Sequence, residues 1–382
     1  AARSNPMTTI LQRGLDGPFS GDYPSCALAC HAEGEPGIDD GGFATVAERF
    51  RLTPADVRRS GFHDLPAPLR RLGGVGCLAC HGPGTVAEPG GHAALLRADV
   101  CATCHDAPPR YGHVVAWRSS RMARSDVDPR TREGACARCH TTWGFLGEPN
   151  RKPSEDAEAA GITCAACHAV HPVRRAAGSV LGATCAGALR RETPVPAVLE
   201  AALAPSADES RACLSCHAPE PDGGGPAASA AVLWAGRGGL EPKTGAAMEG
   251  AAPHAGVPGG CVGCHRSGPA ELGRGAGHAF AARGGDCTSC HAEKNDPALR
   301  ERALALWSTA LHTTTPVAVS NPPHTAPPKI DTSTPRGRAL WDLALVVEDP
   351  AADRHDAPYA RALLDAAERV LSPGALEGRT AR

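Results

Sequence analysis

Apolar and polar positions repeat at helical spacing in three stretches near the C-terminal end: residues 297–312, 335–347 and 357–371. Asp296 as N-cap and Pro297 at the first helical position open the first, which His312 ends. In "DAPYARALLDAAERVL" Asp356 can cap, and the Ser-Pro-Gly that follows is the stop. "HVVAWRSSRMA", residues 113–123, reads as one further helix. Strand patterns have almost no support. Residues 172–212 and 218–260 are rich in Ala, Gly and Pro and low in pattern, and "PEPDGGGPAASAA" reads as a loop or wrap. The expected fold class is therefore mainly irregular with short α-helices and almost no β.

Composition sharpens this picture. Aromatic residues are 4% of the chain. The 44 glycines and 35 prolines exceed average usage yet stay below the level at which disorder is the default. Side chains this small do not readily fill a core for 382 residues, so a non-protein group is expected to share it. The formal net charge of −2 comes without a basic stripe, which argues against nucleic acid as a partner. No run of eighteen apolar residues exists to cross a membrane. Residues 1–20 lack a charged segment followed by an apolar one, and the opening "AARSNPMTT" fits a processed, exported chain.

Seventeen cysteines are too many for an ordinary cytosolic enzyme. Fourteen fall in seven C-x-x-C-H motifs: Cys77/Cys80/His81, Cys101/Cys104/His105, Cys136/Cys139/His140, Cys164/Cys167/His168, Cys213/Cys216/His217, Cys261/Cys264/His265 and Cys287/Cys290/His291. This is the pattern for covalent attachment of a c-type haem. Two thiols one turn apart reach the two vinyl groups on one porphyrin edge, and the next residue swings over the ring as proximal iron ligand. Structural zinc needs four ligands and does not ask for a His after each pair. Redox pairs of the thioredoxin kind do not recur so often, and a disulfide framework suits a much shorter chain.

"CALACH" differs by one linker residue between Cys26 and Cys30, ahead of His31. Beside seven regular motifs it reads as an eighth haem site whose extra residue bulges outward; a Cys26–Cys30 disulfide with a spare His31 is the alternative. Eight c-type haems are therefore expected. Cys185 is left over, and an inert buried thiol is the default reading for it.

Each iron has a second axial position. Of 17 histidines, nine lie outside the motifs: His63, His92, His113, His171, His254, His278, His312, His324 and His355. Nine for eight positions makes bis-histidine ligation the economical expectation, with one spare; His63 and His324 rank lowest. Met122, on the same expected helix as His113, is a weaker candidate, and a His/Met iron would have a raised potential. Met7 and Met248 rank below it.

Sequence spacing groups the motifs as 77/101, 136/164 and 261/287, with those at 26 and 213 more isolated. The expected division is a haem-bearing body over 1–295, which could split near 172–212, and a motif-free segment over 296–382 that donates distal ligands back to it.

"GVGCLACHGPG" (74–84), "HVVAWRSSRMA…CARCHTTWGF" (113–145) and "RALWDLALVVED…HDAPYARALLDAA" (338–367) resemble the multihaem c-type cytochromes. Within them the chain is similar to the group related to hydroxylamine oxidoreductase and octahaem tetrathionate reductase. The resemblance implies distal roles for His92, His113 and His355. Where that group often has a second His in the Trp-Ser helix, this chain has Met122. Its catalytic members carry an open or Lys-ligated haem, but none of Lys152, Lys243, Lys294 or Lys329 sits in a motif.

The expected function is electron transfer along closely packed, mostly bis-His haems in the periplasm or outside the cell, to redox proteins or extracellular acceptors. An oxidoreductase of a small nitrogen or sulfur species at one open haem is the alternative. A homo-oligomer or conductive filament with haem–haem contact between subunits is compatible with the spare His and the motif-free tail.

Overall fold

The protein is described from a computed structural model, over residues 7–17, 28–34, 39–76, 79–80, 97–107, 111–127, 132–146, 161–168, 197–200, 210–218, 229–266, 276–282, 287, 296–311 and 330–372. The chain divides into two compact units: residues 1–190 with 267–281, and residues 191–266 with 282–382. Residues 296–382 fall in the unit that also holds residues 191–266.

In the first unit, the short helices Ile10–Asp16, Phe43–Arg49, Pro54–Arg59 and Ala67–Leu72 enclose Leu11, Leu15, Phe43, Val57, Leu65 and Leu69. None is long enough to persist alone, so this shared apolar face holds them. Thr53 and Asp56 form a capping box at the Pro54–Arg59 helix: the Thr53 hydroxyl accepts from the Asp56 amide at 3.2 Å, and Asp56 accepts from the Thr53 amide at 2.8 Å. Gly74, at φ +126°, passes so close to Thr8 that a Cβ would lie 2.2 Å from its carbonyl oxygen. Its amide donates to the His31 carbonyl at 2.9 Å, which ties the first motif to the chain entering the second.

Farther along this unit, the Ala98–His105 helix runs into a two-residue hairpin, Asp106–Ala107 with Tyr111–Gly112, and then the His113–Arg118 helix. Asp106 accepts from the Val115 amide at 2.9 Å. The helix stops at Arg118, and Met122 begins a separate 3-10 turn, Met122–Arg124. One continuous helix over 113–123 does not form. Ser119 bonds back to the Ala116 carbonyl at 2.6 Å and the Ser120 hydroxyl accepts from the Ala123 amide at 3.2 Å, the local competition that serines offer a helix.

The second unit is built on three longer helices, Pro297–Ala310, Pro335–Glu348 and Ala357–Leu371. Leu299, Ala303 and Trp307 pack with Leu343, Leu345, Val346, Tyr359, Leu363 and Leu364, and with Leu233 and Trp234 of the Ala230–Trp234 helix. Asp356 caps as expected, accepting from the Tyr359 amide at 3.0 Å, and also accepts from the Ala252 amide at 3.2 Å. Asp296 stands at the N-cap position without a capping bond and instead pairs with Arg361 at 3.0 Å. A second hairpin, Gly239–Leu240 with Ala247–Met248, is pinned by buried groups. The Tyr359 hydroxyl accepts from the Gly239 amide and donates to the Met248 carbonyl, both at 2.9 Å, and Asp342 accepts from the Leu240 amide at 2.8 Å. Among the described residues, strand content is limited to these two hairpins and isolated bridge residues such as Ala32 with Gly73. No helix among them is long and apolar enough to cross a membrane.

Candidate haem-binding site

Most of the described motifs fold as single helical turns. Cys101, Cys104 and His105 end the Ala98–His105 helix, and Cys261, Cys264 and His265 end Gly260–His265. Cys30 and His31 end Leu28–His31, Cys139 and His140 end Ala137–His140, and Cys164–Cys167 is itself a turn. At this spacing both thiols share one helix face, with the histidine one turn beyond the first. None of the described motif cysteines is joined in a disulfide.

The motif at Cys213 and Cys216 begins in the short helix Arg211–Leu214 and continues past it as a helical turn. The Ser215 amide donates to the Arg211 carbonyl at 3.1 Å and the His217 amide to the Cys213 carbonyl at 2.9 Å, the same closure that His168 makes on Cys164 at 2.8 Å. The Ser215 hydroxyl donates to the Ala212 carbonyl at 2.7 Å, and the Cys216 sulfur lies 3.8 Å from the Ser215 hydroxyl.

Thiols of different motifs lie side by side. Cys101 and Cys164 are hydrogen-bonded to each other, and so are Cys213 and Cys261. The Cys104 sulfur lies 4.0 Å from the Cys30 carbonyl oxygen. Burial first, then the neighbouring Cys30 and Cys80 thiols, push Cys104 up to about 12, which leaves it a poor thiolate at neutral pH. The spatial neighbours therefore include 101 with 164 and 213 with 261, which spacing alone does not select, as well as 77 with 101, which it does, through Cys80 beside Cys104.

Motif histidines face histidines from elsewhere in the same unit. His265 and His355 have ring centres 6.1 Å apart, as do His168 and His278. His105 and His113 are 5.4 Å apart. An iron bound by two imidazoles needs ring centres about 6 Å apart, from two ~2 Å metal–nitrogen bonds and ~1 Å from each nitrogen to its ring centre. His113 also touches His278 at 4.9 Å, which links two of these pairs. The His113–Arg118 helix and the Ala276–Ala279 turn supply those two rings.

Ring orientation is fixed from behind. His140 Nδ1 lies 2.7 Å from the Ser125 carbonyl, and the Ser125 hydroxyl donates to the His140 carbonyl at 2.8 Å. His254 Nδ1 lies 2.7 Å from the His355 carbonyl, and His355 Nδ1 lies 2.5 Å from an Asp349 carboxylate oxygen. Each bond occupies Nδ1 and leaves Nε2 for a metal. Burial lowers the pKa of His31, helped by Arg13 and His105, and burial lowers that of His105; both therefore present the neutral ring that metal binding requires. His355 goes the other way, because the Asp349 hydrogen bond and charge outweigh the effect of burial.

This donor set fits haem. It supplies thiols at vinyl spacing, an adjacent imidazole and an opposing imidazole at the separation an axial pair needs. Among the described residues no group of three or more His, Cys, Asp or Glu side chains converges on one point, whereas structural zinc takes four ligands.

Other candidates sit elsewhere. His63 is exposed, 3.3 Å from the Gln12 amide nitrogen and against the Phe62 ring. His217 closes the turn after Arg211–Leu214 through its amide bond to the Cys213 carbonyl at 2.9 Å. Met122, Met248 and Met7 contribute main-chain carbonyls, to the Ile162 amide, the Tyr359 hydroxyl and the Val75 amide. Cys26, Cys77, Cys185, Cys290, His81, His92, His171, His291, His312 and His324 lie outside the described residues. Asp349 and Ser125 are functional positions that the sequence did not single out, since an anchoring oxygen carries no motif. Ser210 is another, its hydroxyl accepting from the Cys261 amide at 2.9 Å.

Residues 100–169, which hold three motifs, match the family model of cytochrome c554 and c-prime. The chain is similar to multihaem c-type cytochromes. Two solved structures resemble it in fold. One is the undecahaem cytochrome from the S-layer of Carboxydothermus ferrireducens, 18% identical over 79% of this chain, with a TM-score of 0.44. The other is the outer cell wall cytochrome OcwA, 16% identical over 78%, with a TM-score of 0.46. The chain spans half the length of the first and 70% of the second. No curated protein matches it.

Proposed function

We propose that the chain is an octahaem c-type cytochrome that conducts electrons between external redox partners, outside the cytoplasmic membrane where thioether attachment takes place. The observation that carries this reading is the opposition of motif and non-motif histidines, His265 with His355 and His168 with His278, each at 6.1 Å. Bound haem supplies reversible one-electron chemistry at iron. The chain's own residues attach it, cap both axial positions and hold the rings fixed, so that ligation changes little between oxidation states.

Proximity does the rest. The contacts Cys101–Cys164 and His113–His278 put two centres together on both their attachment and distal sides. Cys213–Cys261 brings a second pair together on the attachment side. Such adjacency favours hopping from centre to centre and asks for no substrate pocket. By the same reading His81, His217, His291, His31 and His140 are proximal ligands, and His92, His171, His254, His312 and His324 complete the distal set, with His63 the spare. A filament of such subunits would bring a haem of one copy against the next, and would resist dissociation on dilution.

The test is peptide mass mapping of the exported protein after proteolysis. Eight peptides, each heavier by one haem and including the Cys26–Cys30 and Cys213–Cys216 peptides, are expected. Unmodified thiols or a Cys26–Cys30 disulfide would overturn the corresponding part of the reading.

A further inference from the structure

We infer that Asp349 sets the potential of the centre attached at Cys261 and Cys264, by drawing the Nδ1 proton of its distal ligand His355 and so lowering that potential. The inference rests on the haem reading above.

Asp349 is 2% exposed and held at both carboxylate oxygens. One accepts from the Ala351 amide at 2.9 Å and the other lies 2.5 Å from His355 Nδ1. The chain is shaped to keep it there. Asp349 ends the Pro335–Glu348 helix, its carbonyl accepts from the Ala352 amide at 3.2 Å, and the Ala352–His355 turn returns the ring to it. Asp356 then starts the next helix. The short chain from Asp349 to His355 therefore serves to aim a buried carboxylate at the back of one imidazole.

The other anchors differ in kind. His140 and His254 have Nδ1 against carbonyl oxygens of Ser125 and His355, which are dipoles. Asp349 is an acid whose ionised form takes a larger share of the proton and leaves the ring more electron-rich. A more strongly donating axial ligand favours the ferric over the ferrous state. Asp349 touches neither iron nor substrate, so it is a positioning and tuning residue.

The experiment is spectroelectrochemical titration of the full-length, haem-loaded protein beside its Asp349→Asn and Asp349→Glu variants, with haem mapped to the Cys261–Cys264 peptide in each. Asp349→Asn is expected to move one wave upward. The ratio of reduced to oxidised centre at fixed potential should rise at least tenfold, about 59 mV for a one-electron couple. The remaining waves should stay in place and Asp349→Glu should keep most of the wild-type value. A fully loaded Asp349→Asn protein with every wave unmoved overturns the inference and leaves the haem reading intact. A wild-type peptide without haem would instead remove the haem reading itself. If Asp349→Asn does not accumulate, near-infrared magnetic circular dichroism of the oxidised wild type decides. One low-spin charge-transfer band displaced toward imidazolate ligation supports the inference, and bands all at the neutral bis-imidazole position overturn it.

Discussion

Removing one oxygen atom tests how the His355 region is held. Tyr359 lies four residues after His355 and is 3% exposed. Its hydroxyl bridges the two strands of the Gly239–Met248 hairpin, accepting from the Gly239 amide and donating to the Met248 carbonyl, both at 2.9 Å. Tyr359→Phe keeps the ring and its packing but leaves the buried Gly239 amide and the part-buried Met248 carbonyl without their partner. An unmet buried group costs about 1–3 kcal/mol, so the two together predict a loss of about 2–6 kcal/mol. No water is expected to replace the hydroxyl readily, because a Cβ on Gly239 would already lie 2.3 Å from Leu363. Since the two units make a single global unfolding energy ill-defined, the assay is site-resolved hydrogen exchange. At 1.4 kcal/mol per tenfold, protection at the Gly239 amide should fall by at least about 25-fold. The Ile10–Asp16 helix of the other unit serves as the unchanged reference. Unaltered protection at Gly239 would refute the claim that this hydroxyl pins the hairpin.

Other outcomes follow from the same geometry. Asp342 is fully buried, one oxygen on the Leu240 amide and the other without a partner, and burial, reinforced by Glu241, raises its pKa to about 8. The folded chain therefore holds a proton that the unfolded chain releases near pH 4. Stability of this unit should fall as pH rises from about 4 to about 8 and then level off. Asp342→Asn should flatten that profile in thermal melts monitored at Trp341, and an unchanged slope would contradict the assignment. Replacing His278 by Ala should leave one haem high-spin and able to bind cyanide, against a wild type in which it is capped; an unaltered spectrum would remove His278 from the ligand set. Thr53→Ala breaks the capping box and should cost the Pro54–Arg59 helix about 1 kcal/mol, read as roughly fivefold faster exchange of the Ser60 amide.

The motifs were legible because covalent chemistry dictates their spacing: two thiols, one turn, one imidazole. The Pro335–Glu348 and Ala357–Leu371 helices were legible from their apolar spacing and, for the latter, from Asp356, which caps as its position suggests. Asp296 shows the limit of such reasoning, since a surface arginine competes for the carboxylate that would otherwise cap. The break after Arg118 was missed because Ser119 and Ser120 choose their own backbone over the helix. Spatial pairing was hidden for a different reason. Short connections suggested motifs 77 with 101, and Cys80 does lie beside Cys104, but Cys101 also meets Cys164, a contact decided by packing of elements distant in sequence. Asp349 was invisible for the same reason: its role exists only once the chain turns back to bring His355 against it.

Low-temperature electron paramagnetic resonance of the oxidised protein, with spins counted against a mass-verified haem number, tests the central claim most directly. The account predicts eight haems per chain, every ferric centre low-spin, and no signal that shifts on adding nitrite or cyanide. A stoichiometric high-spin centre that responds to either anion would contradict it and point to an open catalytic iron.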